Sequence, residues 1–229
     1  MTANLKWLGH GSWQIQTDDH SILLDPFLDE NPSATCKAAD VQADFILVSH
    51  GHFDHVADVA AIANRTGATV VAIYEIADWF AKNHGVGNTI GMNIGGKVEL
   101  PFGVVEMTLA FHSSQLPDGS YGGAPAGFVV TIGEKKLYFA CDTALFGDMR
   151  LIGEKGVDIA ILPIGDHFTM GPDDSVIATK FLQPQFVLPA HYNTWPPIEQ
   201  NAAEWADKIS ANTESKPIVL ASGESFEFQ

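Results

Sequence analysis

The feature that most constrains this chain is an apolar tetrapeptide running straight into a cluster of metal-competent side chains. Phe45-Ile46-Leu47-Val48 leads into Ser49-His50-Gly51-His52-Phe53-Asp54-His55, with three histidines and an aspartate inside six residues. The tetrapeptide predicts a buried strand, and the cluster is then the loop at its carboxyl end. Open α/β sheets place their chemistry at that end. Imidazole nitrogen and carboxylate oxygen are the usual ligands of zinc and similar borderline metals. Gly51 removes a side chain that would crowd the loop, so His50, His52, Asp54 and His55 can point into one small volume.

The same pattern, an apolar run ending in a polar residue, recurs along the chain. Strands are predicted at 5–9, 12–17 and 21–24, the third ending in Asp25-Pro26. Residues 29–42 lack periodicity and read as a loop. Helices are predicted at 56–63 and 76–83, stopped by Gly67 and Gly85, with a strand at 69–73 between them. Strands at 97–100 and 104–111 follow, the second ending in His112. Residues 115–125 are rich in Gly and Pro and form an exposed loop. A hairpin of 128–132 and 136–140 runs into Cys141-Asp142-Thr143. A short helix is placed near 146–153 and a buried strand at 157–163. Pro172 with Asp173 and Asp174 opens a helix over 173–183. A strand at 186–189 ends in Ala190-His191, a helix covers 198–209, and strands at 217–220 and 226–228 close the chain. Strands come first and strand–helix units follow, once in each half. That plan implies two sheets face to face with helices outside, in a single domain over 1–229.

Five of the nine histidines fall at predicted strand ends, in company with Asp54 and Asp142. Strand ends on one edge of a sheet can converge, so His50, His52, Asp54, His55, His112, Asp142 and His191 are read together as a metal site. The formal net charge of −16 argues against a nucleic-acid partner, because phosphate backbones need Lys and Arg. Two well-separated cysteines, Cys36 and Cys141, give no disulfide framework, and the cytoplasm is the simpler location. The amino terminus carries no signal-peptide pattern, and no apolar run reaches the ~20 residues that span a bilayer. A small-molecule substrate is expected, without nucleic acid or membrane. A homo-oligomer is compatible with the sequence.

The His50-Gly51-His52-Phe53-Asp54-His55 pattern, a later lone His, an Asp-Thr after a strand and a final His resemble the metallo-β-lactamase superfamily. Gly9-His10-Gly11-Ser12, Asp25-Pro26-Phe27 and Ile164-Gly165-Asp166-His167-Phe168-Thr169-Met170-Gly171-Pro172 resemble its uncharacterised metal-dependent hydrolases, which are related to ascorbate-6-phosphate lactonases. The resemblance implies an α+β fold, a four-layer αββα sandwich with a dinuclear metal site at the edge of the two sheets. It implies that His50, His52 and His112 hold one divalent ion and Asp54, His55 and His191 the other, with Asp142 bridging. Zinc is the first choice of metal; manganese, iron and nickel also suit these donors. A metal-bridging hydroxide would then attack a small-molecule ester, lactone or phosphate ester. Two carboxylates against four positive charges leave such a site cationic, which suits anionic substrates or transition states.

Several residues carry two readings. His10 is a substrate-facing or orienting histidine, or a turn residue satisfied by backbone. His167 stands where the family more often has Asn, and is a proton donor at the site mouth or a loop cap. Asp25 reads as a carboxylate that orients a ligand histidine. Cys141 replaces the usual Gly and reads as a small buried strand residue. Its neighbour Asp142 would point to the opposite face, which opposes a thiolate ligand. Trp195 could border the site, and Tyr192 lines it or packs. The competing functions are a nuclease or phosphodiesterase acting on RNA or cyclic nucleotides, a di-iron oxidoreductase on the same fold, and a non-catalytic binding protein. Missing basic residues oppose the first. His52, where di-iron relatives carry Glu, opposes the second, and the full ligand set opposes the third.

Overall fold

The computed structural model describes residues 3–228. The first sheet is built mainly from the first half of the chain. It comprises β1 (Ala3–Gly9), β2 (Ser12–Gln16), β3 (Ser21–Leu24), β4 (Phe45–Val48), β5 (Thr69–Ile73) and β6 (Thr89–Met92). The second half supplies β7 (Lys97–Leu100), β8 (Gly103–Leu109), β9 (Ala126–Ile132), β10 (Lys135–Phe139), β11 (Ile159–Pro163), β12 (Phe186–Ala190) and β13 (Lys216–Pro217). The last strand, β14 (Ser225–Phe228), returns to the first sheet beside β1. The strand orders are β14-β1-β2-β3-β4-β5-β6 and β13-β12-β11-β10-β9-β8-β7.

Each sheet starts as an antiparallel meander and continues with parallel strands. The central parallel strands β4 and β11 are apolar throughout and bury every residue, as strands covered on both faces must. The covering helices are α2 (Val59–Thr66) and α3 (Tyr74–His84) on the first sheet. On the second they are α5 (Pro172–Leu182) and α6 (Ala202–Asn212), with α4 (Met149–Gly153) packed on α5. The result is two mixed sheets flanked by helices, the αββα sandwich.

The helix predicted at 56–63 divides into α1 (Phe53–Val56) and α2. Asp58 causes the break: it is buried and its carboxylate accepts the amide N–H groups of Leu28 and Asp29. The strand β6 is not predicted by the sequence, because Thr-Ile-Gly-Met carries neither alternation nor a long apolar run. The final helix starts at Ala202 rather than Ile198. Pro196–Ile198 forms a 3-10 turn, and the Asn201 side chain then caps α6 through the amides of Ala203 and Glu204. Gly67 and Gly85 end α2 and α3 in the left-handed conformation, as their positions predict.

This topology positions the site. β1, β3 and β4 run in one direction in the first sheet, as do β8, β10 and β12 in the second. His10, Asp25, His50, His112, Asp142 and His191 each follow one of these six strands. All therefore emerge on one edge of the sandwich.

Candidate metal centre

The backbone turns sharply where strands reach this edge. Among the described residues, every non-glycine residue at positive φ except Gln183 lies just past such a strand, β11 included: His10, Asp25, Cys141, Asp166, His191 and Asn193. Left-handed backbone is costly for such residues and concentrates at functional sites. Here it bends the chain abruptly off the sheet edge, so that side chains drop into the gap between the sheets. Two close approaches depend on glycine: a Cβ on Gly11 would meet His55 Cε1 at 3.0 Å, and one on Gly51 would meet the Gln115 backbone at 3.1 Å.

The side chains gather into two adjoining groups. In the shallower one, His52 Nδ1 lies 2.9 Å from His50 Nε2 and 3.2 Å from His112 Nε2. A tetrahedral ion with Zn–N bonds of ~2.0–2.1 Å sets its nitrogens ~3.3 Å apart, so this spacing suits a shared cation. In the deeper group, ligand atoms of His10, Asp54, His55 and His191 all lie within 4.8 Å of one another, and all four residues are buried. The two groups touch, with the His50 and His55 rings 4.1 Å apart. Asp142 sits between them. Its Oδ2 is 3.1 Å from His191 Nε2, 3.5 Å from His55 Nε2 and 3.6 Å from His112 Nε2.

The fit to a metal rests on orphaned atoms. His55 Nε2 and His191 Nε2 are buried and have no hydrogen-bond partner, although carboxylate oxygens stand within 3.1–3.7 Å of them. Buried polar groups are rarely left so. Lone pairs converging on one point are what a cation requires, and the donor set suits zinc and its neighbours.

One carboxylate orients a histidine in each group. Asp25 accepts His55 Nδ1–H at 2.9 Å, the Ser49 hydroxyl at 2.6 Å and the Ser49 amide at 2.8 Å. The Ser49 hydroxyl has one proton. Given to Asp25, it leaves Ser49 Oγ as acceptor for His50 Nδ1–H at 2.9 Å. Both histidines thus present Nε2 to the centre, the nitrogen that a bound metal would take, an arrangement common among metal-ligating histidines. The sequence points to Asp25 but not to Ser49, although its place directly before His50 is a usable signal.

The charges in the metal-free protein differ between the groups. Burial lowers the pKa of His50 well below the ordinary value, and lowers His52 and His112. Burial also opposes the charge on His55 and His191, but Asp142 outweighs it, together with Asp54 and, at His55, Asp25. His55 is raised well above its usual value and His191 reaches about 9. Asp54 and Asp142 are held below the usual carboxylate range, because the facing histidines overcome the cost of burial.

His10 is fully buried, so it touches no substrate. Its Nε2 lies 2.8 Å from Asp54 Oδ2 and its Nδ1 2.8 Å from Thr194 Oγ1. It positions Asp54 from behind. Burial, followed by repulsion from His191, lowers its pKa to about 4. His167 is exposed on the loop beside Phe168, and Phe168, not His167, lines the cleft over the metal-competent groups. Cys141 lies past the end of β10 rather than within it, half-buried, with Sγ 3.7 Å from the Phe139 carbonyl. The alternation argument therefore does not apply to it, and Cys141 is in none of the metal-competent groups among the described residues.

The cleft has a volume of about 480 Å³, with His52, Asp54, His112, Asp142 and His191 on its floor. The 115–125 loop forms one wall through Gln115, Leu116, Pro117 and Gly119. The loop is tied down where the Gly51 amide donates to Ser114 Oγ at 3.1 Å. Trp195 borders the cleft, whereas Tyr192 stacks on Trp7 with ring centroids 5.2 Å apart.

A two-sheet sandwich with a histidine–aspartate cluster at one edge defines the class. Residues 20–192 match the family described as the β-lactamase superfamily domain, and the chain belongs to that family. More narrowly, it belongs to the UPF0173 metal-dependent hydrolases. It is 50% identical over 223 residues to such a hydrolase from Bacillus thuringiensis subsp. konkukian, covering 95% of this chain and 96% of that one. It is 48% identical over 206 residues to another from Thermus thermophilus, covering 90% and 91%. Among solved structures it is similar to Igni18, a novel metallo hydrolase from the hyperthermophilic archaeon Ignicoccus hospitalis. The TM-score is 0.90 at 34% identity, covering 100% of this chain and 99% of that one. The protein is a metal-dependent hydrolase. No helix among the described residues is long and apolar enough to cross a membrane.

Proposed function

We propose that the site holds two divalent ions, zinc first among the candidates, and hydrolyses a small-molecule ester or lactone. His50, His52 and His112 would hold one ion; Asp54, His55 and His191 would hold the other; Asp142 would contact both. The observation that carries this reading is the place of Asp142 Oδ2, 3.1–3.6 Å from histidines of both groups. Such ions lower the pKa of a bound water from ~15.7 towards neutrality and polarise the scissile group.

The chain's own residues supply the rest. Asp25 and Ser49 fix the tautomers of His55 and His50, so that two ligand nitrogens are ready without rearrangement. Thr194 and His10 hold Asp54 from the side away from the cleft. The cleft suits a small molecule in size and in its mixture of apolar walls and a polar floor. The test is elemental analysis of gently purified protein, then assay of esters, lactones and phosphodiesters with the metal found. About two equivalents and turnover of an ester or lactone are expected. A phosphodiester hydrolysed in preference to every ester and lactone would overturn the substrate class.

A further inference from the structure

The cleft bears a charge asymmetry that narrows its substrate. Its apolar wall is Phe53, Leu116, Pro117, Phe168 and Trp195, and no lysine or arginine lines it among the described residues. Phe53 and Phe168 are each 52% exposed, unusual for large apolar side chains unless they face a partner or ligand. Trp195 stands 6.0 Å from Phe53 and 4.8 Å from His10, so its ring is fixed between the deep histidine and the exposed phenylalanine.

Many of the chain's cations are engaged elsewhere. Of its two arginines, Arg65 donates to the carbonyls of Ala38 and Val41, and Arg150 lies 4.1 Å over the Phe181 ring. Lys82, Lys97, Lys155 and Lys208 pair with carboxylates outside the cleft. A phosphate or carboxylate on the non-reacting part of a substrate is normally met by Arg or Lys. Here only uncharged donors such as Ser113 and Gln115 stand along the wall, and the net charge of −16 disfavours it. Bound ions would supply positive charge at the scissile group, where negative charge develops during reaction.

We infer that the substrate is an uncharged carboxylic ester or lactone whose non-reacting part is an aromatic or bulky apolar group seated between Phe53, Phe168 and Trp195. The inference rests on the hydrolytic reading above. Water is consumed, the acyl–oxygen bond breaks, and a carboxylic acid and an alcohol form, the acid releasing its proton at neutral pH. A lactone gives both groups on one molecule.

A matched pair tests it: 4-acetylphenyl acetate, which is neutral, and 4-acetoxybenzoate, which carries a carboxylate far from the same aryl acetate bond. With metal-loaded enzyme, kcat/KM should favour the neutral ester by about 100-fold, the sum of an unpaired charge and lost apolar contact. Phe168→Ala, an exposed position that folding tolerates, should raise KM for the neutral ester about tenfold and leave kcat within about twofold, as loss of uniform binding does. Calorimetry with 4-acetamidoacetophenone, the amide counterpart without any ester bond, reads the cleft without turnover. It should bind the metal-loaded protein and lose affinity in Phe168→Ala. Equal or better use of the charged ester, or an unchanged KM in Phe168→Ala, overturns the inference. If no ester turns over but the amide binds through Phe168, the hydrolytic reading fails and the apolar seat stands. If the amide does not bind, the seat itself is refuted.

Discussion

The two groups of metal-competent side chains are neighbours built by different means. The shallow group opens on the cleft: the His112 side chain is 13% exposed, and His52 Nε2 reaches out to Ser113 Oγ at 3.4 Å. The deep group is more enclosed, with His55 and His191 side chains 1% and 3% exposed and His10 and Asp25 behind them, although Asp54, 11% exposed, and His191 also line the cleft. Neutral histidines fill the first; ion-paired histidines and carboxylates fill the second. A hydrolase needs one side that substrate can reach and another that keeps its geometry. Pairing with carboxylates, more than burial, separates the two, since His50 of the shallow group is itself buried.

The comparison breaks most severely at the residue both groups share. Asp142→Asn keeps the volume and removes the charge facing three histidines. It should lower kcat/KM by about 10³-fold, several kcal/mol of lost stabilisation, measured on an ester with metal in excess. A loss below tenfold would mean that Asp142 serves one group only.

Stability should separate the groups next. His55→Ala strands Asp25, Asp54 and Asp142 in the interior without their facing cation. Denaturant unfolding of the metal-free protein should show a loss of about 3–5 kcal/mol. His112→Ala removes a neutral, partly exposed ring and should cost under about 1 kcal/mol. Equal losses would erase the distinction.

Asp25→Asn should then weaken metal binding by about 10–100-fold, because it loosens His55 directly and His50 through Ser49. Ser49→Ala should weaken the shallow group more than the deep one, which competition with a chromophoric chelator can resolve.

Protons give a subtler contrast. In the metal-free protein, His55 and His191 are raised, His191 to about 9, so both carry protons at neutral pH that ligation must expel. Affinity at the deep group should therefore rise with pH up to about 9, about tenfold per unit for each proton released. His50, His52 and His112 are lowered and already neutral at pH 7, so affinity at the shallow group should be flat above that. Calorimetric titration in buffers of different ionisation enthalpy counts the protons. The smallest effect is expected from His167→Asn, which lies off the cleft and should leave metal content unchanged and activity within about twofold.

How much of this is legible in the sequence follows the same division. The shallow and deep ligands can be gathered because each follows an apolar strand, and strands of one direction end on one edge. The fold is legible for the same reason: fully apolar runs such as Phe45–Val48 and Ile159–Pro163 leave few alternatives. Depth is not legible. Nothing in Gly9-His10-Gly11 says that His10 sits behind Asp54, because its αL backbone and Thr194, far along the chain, decide that. Nor can the 164–172 loop show that Phe168 rather than His167 faces the cleft. One turn at Asp166, φ 71°, sets the direction of both. The break at Asp58 is hidden because its partners, the amides at 28 and 29, lie at the start of an aperiodic loop.

The claim beneath the whole account is that one chain holds two ions in unlike halves of one site. Elemental analysis of protein purified without chelators, for the native chain and for His112→Ala, addresses it directly. About two equivalents are expected in the native protein and about one, held by the deep group, in the variant. Two equivalents retained in His112→Ala, or a single equivalent in the native protein at saturating metal, would contradict it.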